Sequence, residues 1–414
     1  MTFLKYSAFA TAAGIAFLAA PLQTLAADVT LRDVSFASPN GKSKATMKTV
    51  LATGTNVTEA ELKKLFDPAA SKEEKAAIAA KMKAELLSIP EIAVTRSDKE
   101  GLITIKNISI TSINGGKFAK ATMEGFDGNI PSETNSGKIS MKSGPIVIQD
   151  GDFSQALGAV KSGDFTDGAW RFSTFKWSNF ELQAPEKSGG QPVYHTVKIG
   201  SVEADTKYEN GLPTMTKGEI KDIVFMPAAN SQAGQGMTMF GYKQVNVGMT
   251  FAGSYDAANK QYKLTDFTLN GKDAGVLSLT GVFGNIDGAA FNGDKRQRMM
   301  ALMAGDADNI TIKFVNNGLF DKALAFYATM KGSQPDAVKQ ELAGMAGGML
   351  PMFLGGDAGA MQSAGAVSEF VKSPKNLTIS VKGKMGPVPF RDLAAGQNPM
   401  AVLSKLKIEA VSNK

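Results

Sequence analysis

A chain of 414 residues, 43% apolar and 20% charged, with no cysteine and one histidine, excludes the disordered, collagen-like, disulfide-stapled and cysteine-zinc classes. Its 45 Lys and Arg against 39 Asp and Glu give a formal net charge of +6. The lysines are dispersed, as at Lys42, Lys44, Lys48, Lys138 and Lys142, which describes a solvated sheet surface and excludes a nucleic-acid groove.

Residues 1–27 read as a secretory signal. Met1 to Lys5 provide a basic start, Ser7 to Ala20 an uncharged apolar run and Pro21 to Ala27 a small-residue exit, so cleavage is expected after Ala26 or Ala27. The run is shorter than the roughly 20 residues of a spanning helix, which favours a removed signal over a retained anchor. The mature chain, net charge +5 after loss of Lys5, is expected to be periplasmic or secreted. Without cysteine, its stability must come from core burial and sheet pairing.

An octapeptide then recurs: apolar, any, apolar, any, Asp/Asn/Ser, apolar, any, apolar. Copies begin at Val29, Ile103, Phe175, Val197, Gly218 and Tyr262. Period-2 alternation puts positions 1 and 3 on one face, but positions 6 and 8 join them only if one extra residue is absorbed between. A β-bulge at positions 4 and 5 absorbs it, and Asp, Asn and Ser suit such a site because they tolerate unusual dihedrals. The later copies lie near multiples of 22 residues apart, a length that accommodates two strands and their turns. The expected fold is mainly β with helical insertions: a curved antiparallel sheet of repeated bulged strands, groove- or half-pipe-like, with one apolar face. Turns are expected at Asn114-Gly115-Gly116, Asn210-Gly211 and Asn270-Gly271.

Two stretches carry helical periodicity. Capping boxes at Thr58/Glu61 and Ser71/Glu74 precede Leu62, Leu65 and Phe66, then Ile78, Met82 and Leu86. Farther on, Phe320, Leu324, Tyr327 and Met330 form a stripe, Gly332 a stop and Ser333/Pro335 a start, and Met361 to Val371 a third helix. Between them Leu342 to Gly356 is uncharged, and Met345, Met349, Met352 and Phe353 make a soft surface, read either as a cap over an apolar groove or as part of a buried helical hairpin. The expected organisation is a signal at 1–27, a repeated β body at 28–290 with a helical insertion at 58–88, and a helical cap followed by closing strands at 291–414.

Catalytic chemistry is thin. His195 is the only histidine, so two-histidine metal sites and Ser-His-Asp triads cannot be assembled in one chain. Asp150, Asp152 and Ser154 have calcium-loop spacing, but Gln155 and Lys161 stand where Gly and Glu are needed. Trp170, Phe172, Phe175, Trp177 and Phe180 form the densest aromatic run and read as a core or groove wall. No catalytic residue, cofactor or metal site is expected.

Tyr262 to Leu269 followed by Gly275 to Gly281, the helical run Leu319 to Leu354 and the final strand Leu377 to Val381 give the chain a resemblance to bacterial envelope proteins of the AsmA-like and DUF945-like kind. It departs from them in its cleavable signal. The resemblance implies a long curved β groove with an apolar interior and a part in envelope lipid homeostasis. The reading is a non-enzymatic periplasmic protein that binds, or helps to move, lipid or another apolar ligand. Its expected groove wall is Ile103, Ile105, Ile108, Ile110, Trp177, Phe180, Leu264 and Phe267. The alternative is an envelope structural or interaction protein with a filled sheet and no ligand. Lipid, an envelope protein and peripheral membrane contact are the partner classes left open.

Overall fold

The apolar positions of the octapeptide, 1, 3, 6 and 8, are symmetric about its centre, so two antiparallel copies can place every apolar position opposite another. That property organises the computed structural model, which describes residues 27–38, 41–96, 101–132, 137–154, 157, 170–188, 190–394 and 399–414. Residues 1–26 of the expected signal lie outside them. The chain is mainly β with helical insertions. The eighteen strands among the described residues belong to one sheet, and every described pairing is antiparallel. The chain divides after Asp205 into two compact units, so the boundary expected near 290 falls inside the second.

In the first unit, β1 (Ala27–Ala37), β2 (Ser43–Thr55), β3 (Lys83–Arg96) and β4 (Leu102–Asn114) pair in sequence order. Leu31 faces Val50 and Val34 faces Met47; Ile89 faces Ile108 and Ile92 faces Ile105. β2 and β3 thus carry the same apolar spacing, as Ala45, Met47, Val50, Ala52 and as Leu87, Ile89, Ile92, Val94. They escaped the motif because Thr49 and Glu91 or Pro90 hold its centre. Helices α1 (Glu59–Phe66) and α2 (Lys72–Lys81) start at the two predicted capping boxes. Leu62, Ile78 and Met82 enter one buried cluster with the strand rows. The second helix ends at Met82, and Leu86 belongs to β3, where it pairs with Thr111 of β4 and its neighbours Leu87 and Ile89 bury on the strand phase.

The bulges align. Register places Asp33, Thr49 or Lys48, Glu91 or Pro90, and Asn107 side by side across β1 to β4. The next row breaks there, into β5 (Lys117–Met123) and β6 (Gly125–Pro131), and so does the one after, into β7 (Lys138–Ser143) and β8 (Ile146–Asp152). The line continues through Ser178 and Asn179 of β9 (Thr174–Ser188) to Gly200 and Ser201 of β10 (Gln191–Glu209). In β9 and β10 the two copies meet head to tail: Phe175 opposite Ala204, Trp177 opposite Val202, Phe180 opposite Ile199, Leu182 opposite Val197. Asp33, Asn107 and Asn179 hold φ of 50°, 49° and 55°, the left-handed region that Asn and Asp reach more readily than other side chains. Gly125 (φ 152°) is needed because a Cβ there would meet the Ser143 carbonyl oxygen at 2.2 Å. Eight rows interrupted at one line, by residues that face one another without shifting the register, make a crease across this unit.

The second unit contains β11 (Leu212–Met226), α3 (Gln232–Met239), β12 (Val245–Asp256), β13 (Gln261–Gly271) and β14 (Gly275–Gly284). α4 (Ala289–Asn292) and α5 (Lys295–Met303) lead into β15 (Asp306–Asn316). Three helices follow: α6 (Leu319–Lys331), α7 (Pro335–Leu354) and α8 (Ala358–Lys372). β16 (Asn376–Gly383), β17 (Val388–Pro389), α9 (Phe390–Ala394), α10 (Pro399–Lys405) and β18 (Leu406–Ser412) close the chain. Pairing runs β11-β12-β13-β14-β15-β16-β18. Here the bulges are staggered. Lys221 and Asp222 (φ 52°) oppose Gly248, whereas the extra residue of β13 is Thr265, between Leu264 and Asp266.

Copies starting at 175, 197 and 218 lie on three successive strands, so 22 residues hold one long strand and its turn, and not two strands. Asn210-Gly211 forms the expected turn, both residues with positive φ (50° and 77°). Asn270-Gly271 stays in β13, and the turn forms one step later at Lys272 to Ala274. Gly332 (φ 64°) caps α6 and Pro335 opens α7 as expected. α7 continues through Pro351 to Leu354.

Candidate ligand-binding site

The β13 bulge puts Tyr262, Leu264, Phe267 and Leu269 on one face. Opposite them on β12 stand Tyr255, Gly253, Phe251 and Met249. The rows extend across the unit: Ile220, Met249, Leu269, Leu277, Phe314 and Leu377 in one, and Phe251, Phe267, Leu279, Ile312 and Ile379 in the next. A third holds Leu264, Gly281, Ile310, Val381 and Ile408. The large side chains of these rows are half-buried or, for Leu277, exposed; the matching rows of the first unit hold Leu31, Met47, Val50, Ile89, Ile92 and Ile105 buried.

Aromatic clusters bound this face at both ends. At one, Phe370 of α8 packs edge-on against Phe314 and Phe320, with ring centroids 6.0 and 5.2 Å away. Ser363 ties the same helix to β18, donating to the Ile408 carbonyl (3.0 Å) and accepting from the Ala410 N–H (3.1 Å). At the other end Tyr255 packs on Phe291 at 4.6 Å and donates its hydroxyl to the Ile286 carbonyl at 2.8 Å. Tyr262 lies by Phe283, which meets Phe390 at 5.8 Å. Burial raises the pKa of both tyrosine hydroxyls, as an apolar surrounding does. Gly253 lets Tyr262 approach, because a Cβ there would meet the phenol oxygen at 2.2 Å.

The opposite face of the same strands is polar. Asp266 accepts from Thr250 (2.5 Å) and Thr268 (2.6 Å), and the Thr268 oxygen lies 3.1 Å from the Ser278 hydroxyl, which can donate to it. An open cavity of about 480 Å³ lies beside the β11 bulge, among Glu219, Asp222, Asn246, Thr250, Asn270 and Lys272. Ile220 and Met249 line it as well, so its walls mix polar and apolar side chains.

The expected groove wall therefore separates into parts. Ile105 and Ile110 are buried, and Ile103 and Ile108 pack on the same core cluster, which also holds Leu62 of α1 and Ile78 of α2. Trp177 and Phe180 are half-buried and 5.1 Å apart, with the indole N–H donating to Ser143 (2.7 Å). Leu264 and Phe267 lie on the half-buried face of the second unit. Met249 and Phe251 were missed beside them, although the alternation Val247, Met249, Phe251 could have found them. Met345, Met349, Met352 and Phe353 are exposed. Their stripe begins with Val338 and Leu342, which α6 covers, and runs on past the end of that shorter helix. Phe370 of α8 reaches the sheet face at Phe314.

His195 pairs with Glu186 at 2.5 Å. Asp152 accepts from the Ser154 N–H (3.0 Å) and hydroxyl (2.5 Å), a turn in place of a calcium loop. Among the described residues no cluster of three or more metal-ligating side chains occurs, and no helix is long and apolar enough to cross a membrane. Residues 268–413 match a family model described as an uncharacterized protein. No curated protein matches the chain.

Proposed function

We propose that this is a non-enzymatic protein of the periplasm that holds, or helps to move, an acyl chain or another apolar ligand on the face of β12 to β14. The observation that carries the reading is the half-buried state of Met249, Phe251, Leu264, Phe267 and Leu269 between two aromatic clusters. Five strands, β12 to β16, span about 19 Å at the usual strand spacing. An extended chain laid along a row removes apolar area from water on both partners, about 0.8 kcal/mol per methylene. The resemblance to lipid-handling envelope proteins and the signal-like start agree with this reading.

The test is displacement of a fluorescent fatty acid from the mature protein. Phe251→Asp and Phe267→Asp, each checked for a native circular dichroism spectrum, should weaken binding at least tenfold. Lys272→Ala on the polar face should leave it unchanged. Equal binding by all three folded variants would reject this face. A second reading, an interaction protein without ligand, draws on the closed core of the first unit. It is favoured if the wild-type protein takes up no probe.

A further inference from the structure

The helix α5 is out of keeping with the rest of the surface. Its sequence Lys295-Arg-Gln-Arg-Met-Met-Ala-Leu-Met303 places three cations in the first turn and four large apolar residues in the last two. A short helix of a folded unit ordinarily turns its apolar residues inward. Here only Ala301 is buried, while Met299, Met300, Leu302 and Met303 are 59%, 62%, 44% and 37% exposed. Lys295, Met299 and Met303 follow one another at i, i+4, i+8, and Arg296 precedes Met300 by one turn, so cations and methionines share one outward side.

Neighbouring elements add to both characters. The Phe390 N–H donates to the Gly305 carbonyl at 2.9 Å, which holds α9 beside the end of α5. Leu393 of α9 and Met385 in the preceding loop are exposed, with Arg391 and Lys384 close by in sequence. The acids nearest in sequence are engaged: Asp294 caps α5 through the Gln297 N–H (2.8 Å), and Asp392 pairs with Lys405 at 2.7 Å.

We propose that this end of the second unit, led by α5, is a docking site for an anionic lipid bilayer. Charge complementarity identifies the occupant, since clustered cations beside exposed apolar side chains match an acidic headgroup layer over hydrocarbon. Lys295 and Arg296 would then rest among phosphates while the methionines enter the acyl boundary. Methionine suits a fluid partner because its unbranched side chain adapts to irregular contacts. The site is separate from the ligand face and stands whether or not that face holds a lipid.

The experiment is co-sedimentation of the mature full chain with vesicles of phosphatidylcholine alone or with phosphatidylglycerol. Binding should require phosphatidylglycerol and fall steeply with added salt. Lys295→Glu/Arg296→Glu should reduce it by about fivefold or more per charge removed, and Met299→Ser/Met300→Ser should reduce it at least tenfold. Phe267→Asp should leave it intact, which distinguishes failure of this site from failure of the ligand reading. Because Met299 and Met300 are exposed, both double variants should keep the wild-type melting temperature. Absence of vesicle binding at low salt would overturn the proposal, and so would binding that ignores the methionine changes, which would mean adsorption without insertion. Concentration-dependent self-association abolished by Met300→Glu, with no vesicle binding, would assign the patch to a second copy of the chain instead.

Discussion

Asn107 donates its side-chain amide to the carboxylate of Glu124, which stands opposite it where the row next to β4 breaks between β5 and β6. The Glu124 N–H completes the contact by donating to the Lys106 carbonyl at 3.0 Å. A left-handed residue in one strand and an interruption in the next are thus joined by hydrogen bonds at the crease. The motif centre specifies the bend; the partner strand supplies the matching break.

The first prediction concerns that bend. Asn107→Val places a β-branched residue at φ 49° and removes the bond to Glu124, so it should lower stability by about 1–3 kcal/mol. Asn107→Gly keeps the backbone and loses only the side-chain bond, and should lose less than half as much. Urea melts of the two variants decide it; equal losses would show that backbone conformation is not what the position provides.

The second separates core from site. Ile89→Ala removes a fully buried side chain between α1–α2 and the sheet and should cost about 2–5 kcal/mol. Ile105→Asp buries a charge in the same cluster and should prevent folding of the unit. Phe267→Asp, on the half-buried face, should remain folded. A folded, stable Ile105→Asp protein would contradict the closed core.

The third is a deletion. Thr265 is the extra residue of β13, and without it Leu264 and Tyr262 are carried to the polar face while Phe267 stays. Loss of Thr265 should therefore destabilise the second unit far more than Thr265→Ala, which retains the bulge and should change stability by less than about 1 kcal/mol. Similar melting temperatures for the two would show that the register can slip without penalty.

The fourth is a pH dependence. Burial pushes the Glu61 carboxyl up, but hydrogen bonds from Lys81 and Thr58 outweigh it and hold the pKa below its ordinary 4.5. A carboxylate depressed on folding contributes stability that is present above the unfolded value and is lost as pH falls through the folded one. The α1–α2 pair should loosen below pH 4.5, visible as faster amide exchange in residues 59–81. Glu61→Gln should show less of this acid effect and lower stability at pH 7.

How much was legible follows from what each signal depends on. The bulges were legible because a phase change between Leu31 and Val34, or between Leu264 and Phe267, is written in the apolar spacing. Their alignment across eight rows was not, because pairing register is a property of neighbours; β2 and β3 bend at Thr49 and Pro90, residues that carry no such signature. Capping boxes fixed both helix starts, while Met82 and Leu86 fit a helical period until strand pairing claimed Leu86. For the site, Ile105 and Phe267 hold positions 3 and 6, mirror positions about the motif centre, and look alike in sequence. Only packing distinguishes them: Leu62 and Ile78 close over the first unit's rows, and no helix residue joins a buried cluster with Phe267. The methionines of α7 read as a cap because their stripe is real, but the covering helix α6 ends before it does.

The central claim is that the second unit carries a lipid or other apolar ligand on the face of β12 to β14. Native mass spectrometry of the mature protein, purified without detergent and paired with an organic extract of the same sample, tests it directly. The account predicts a stoichiometric mass increment, identified as a lipid in the extract and depleted in folded Phe251→Asp and Phe267→Asp proteins. A bare protein mass that persists after incubation with envelope lipids would contradict it.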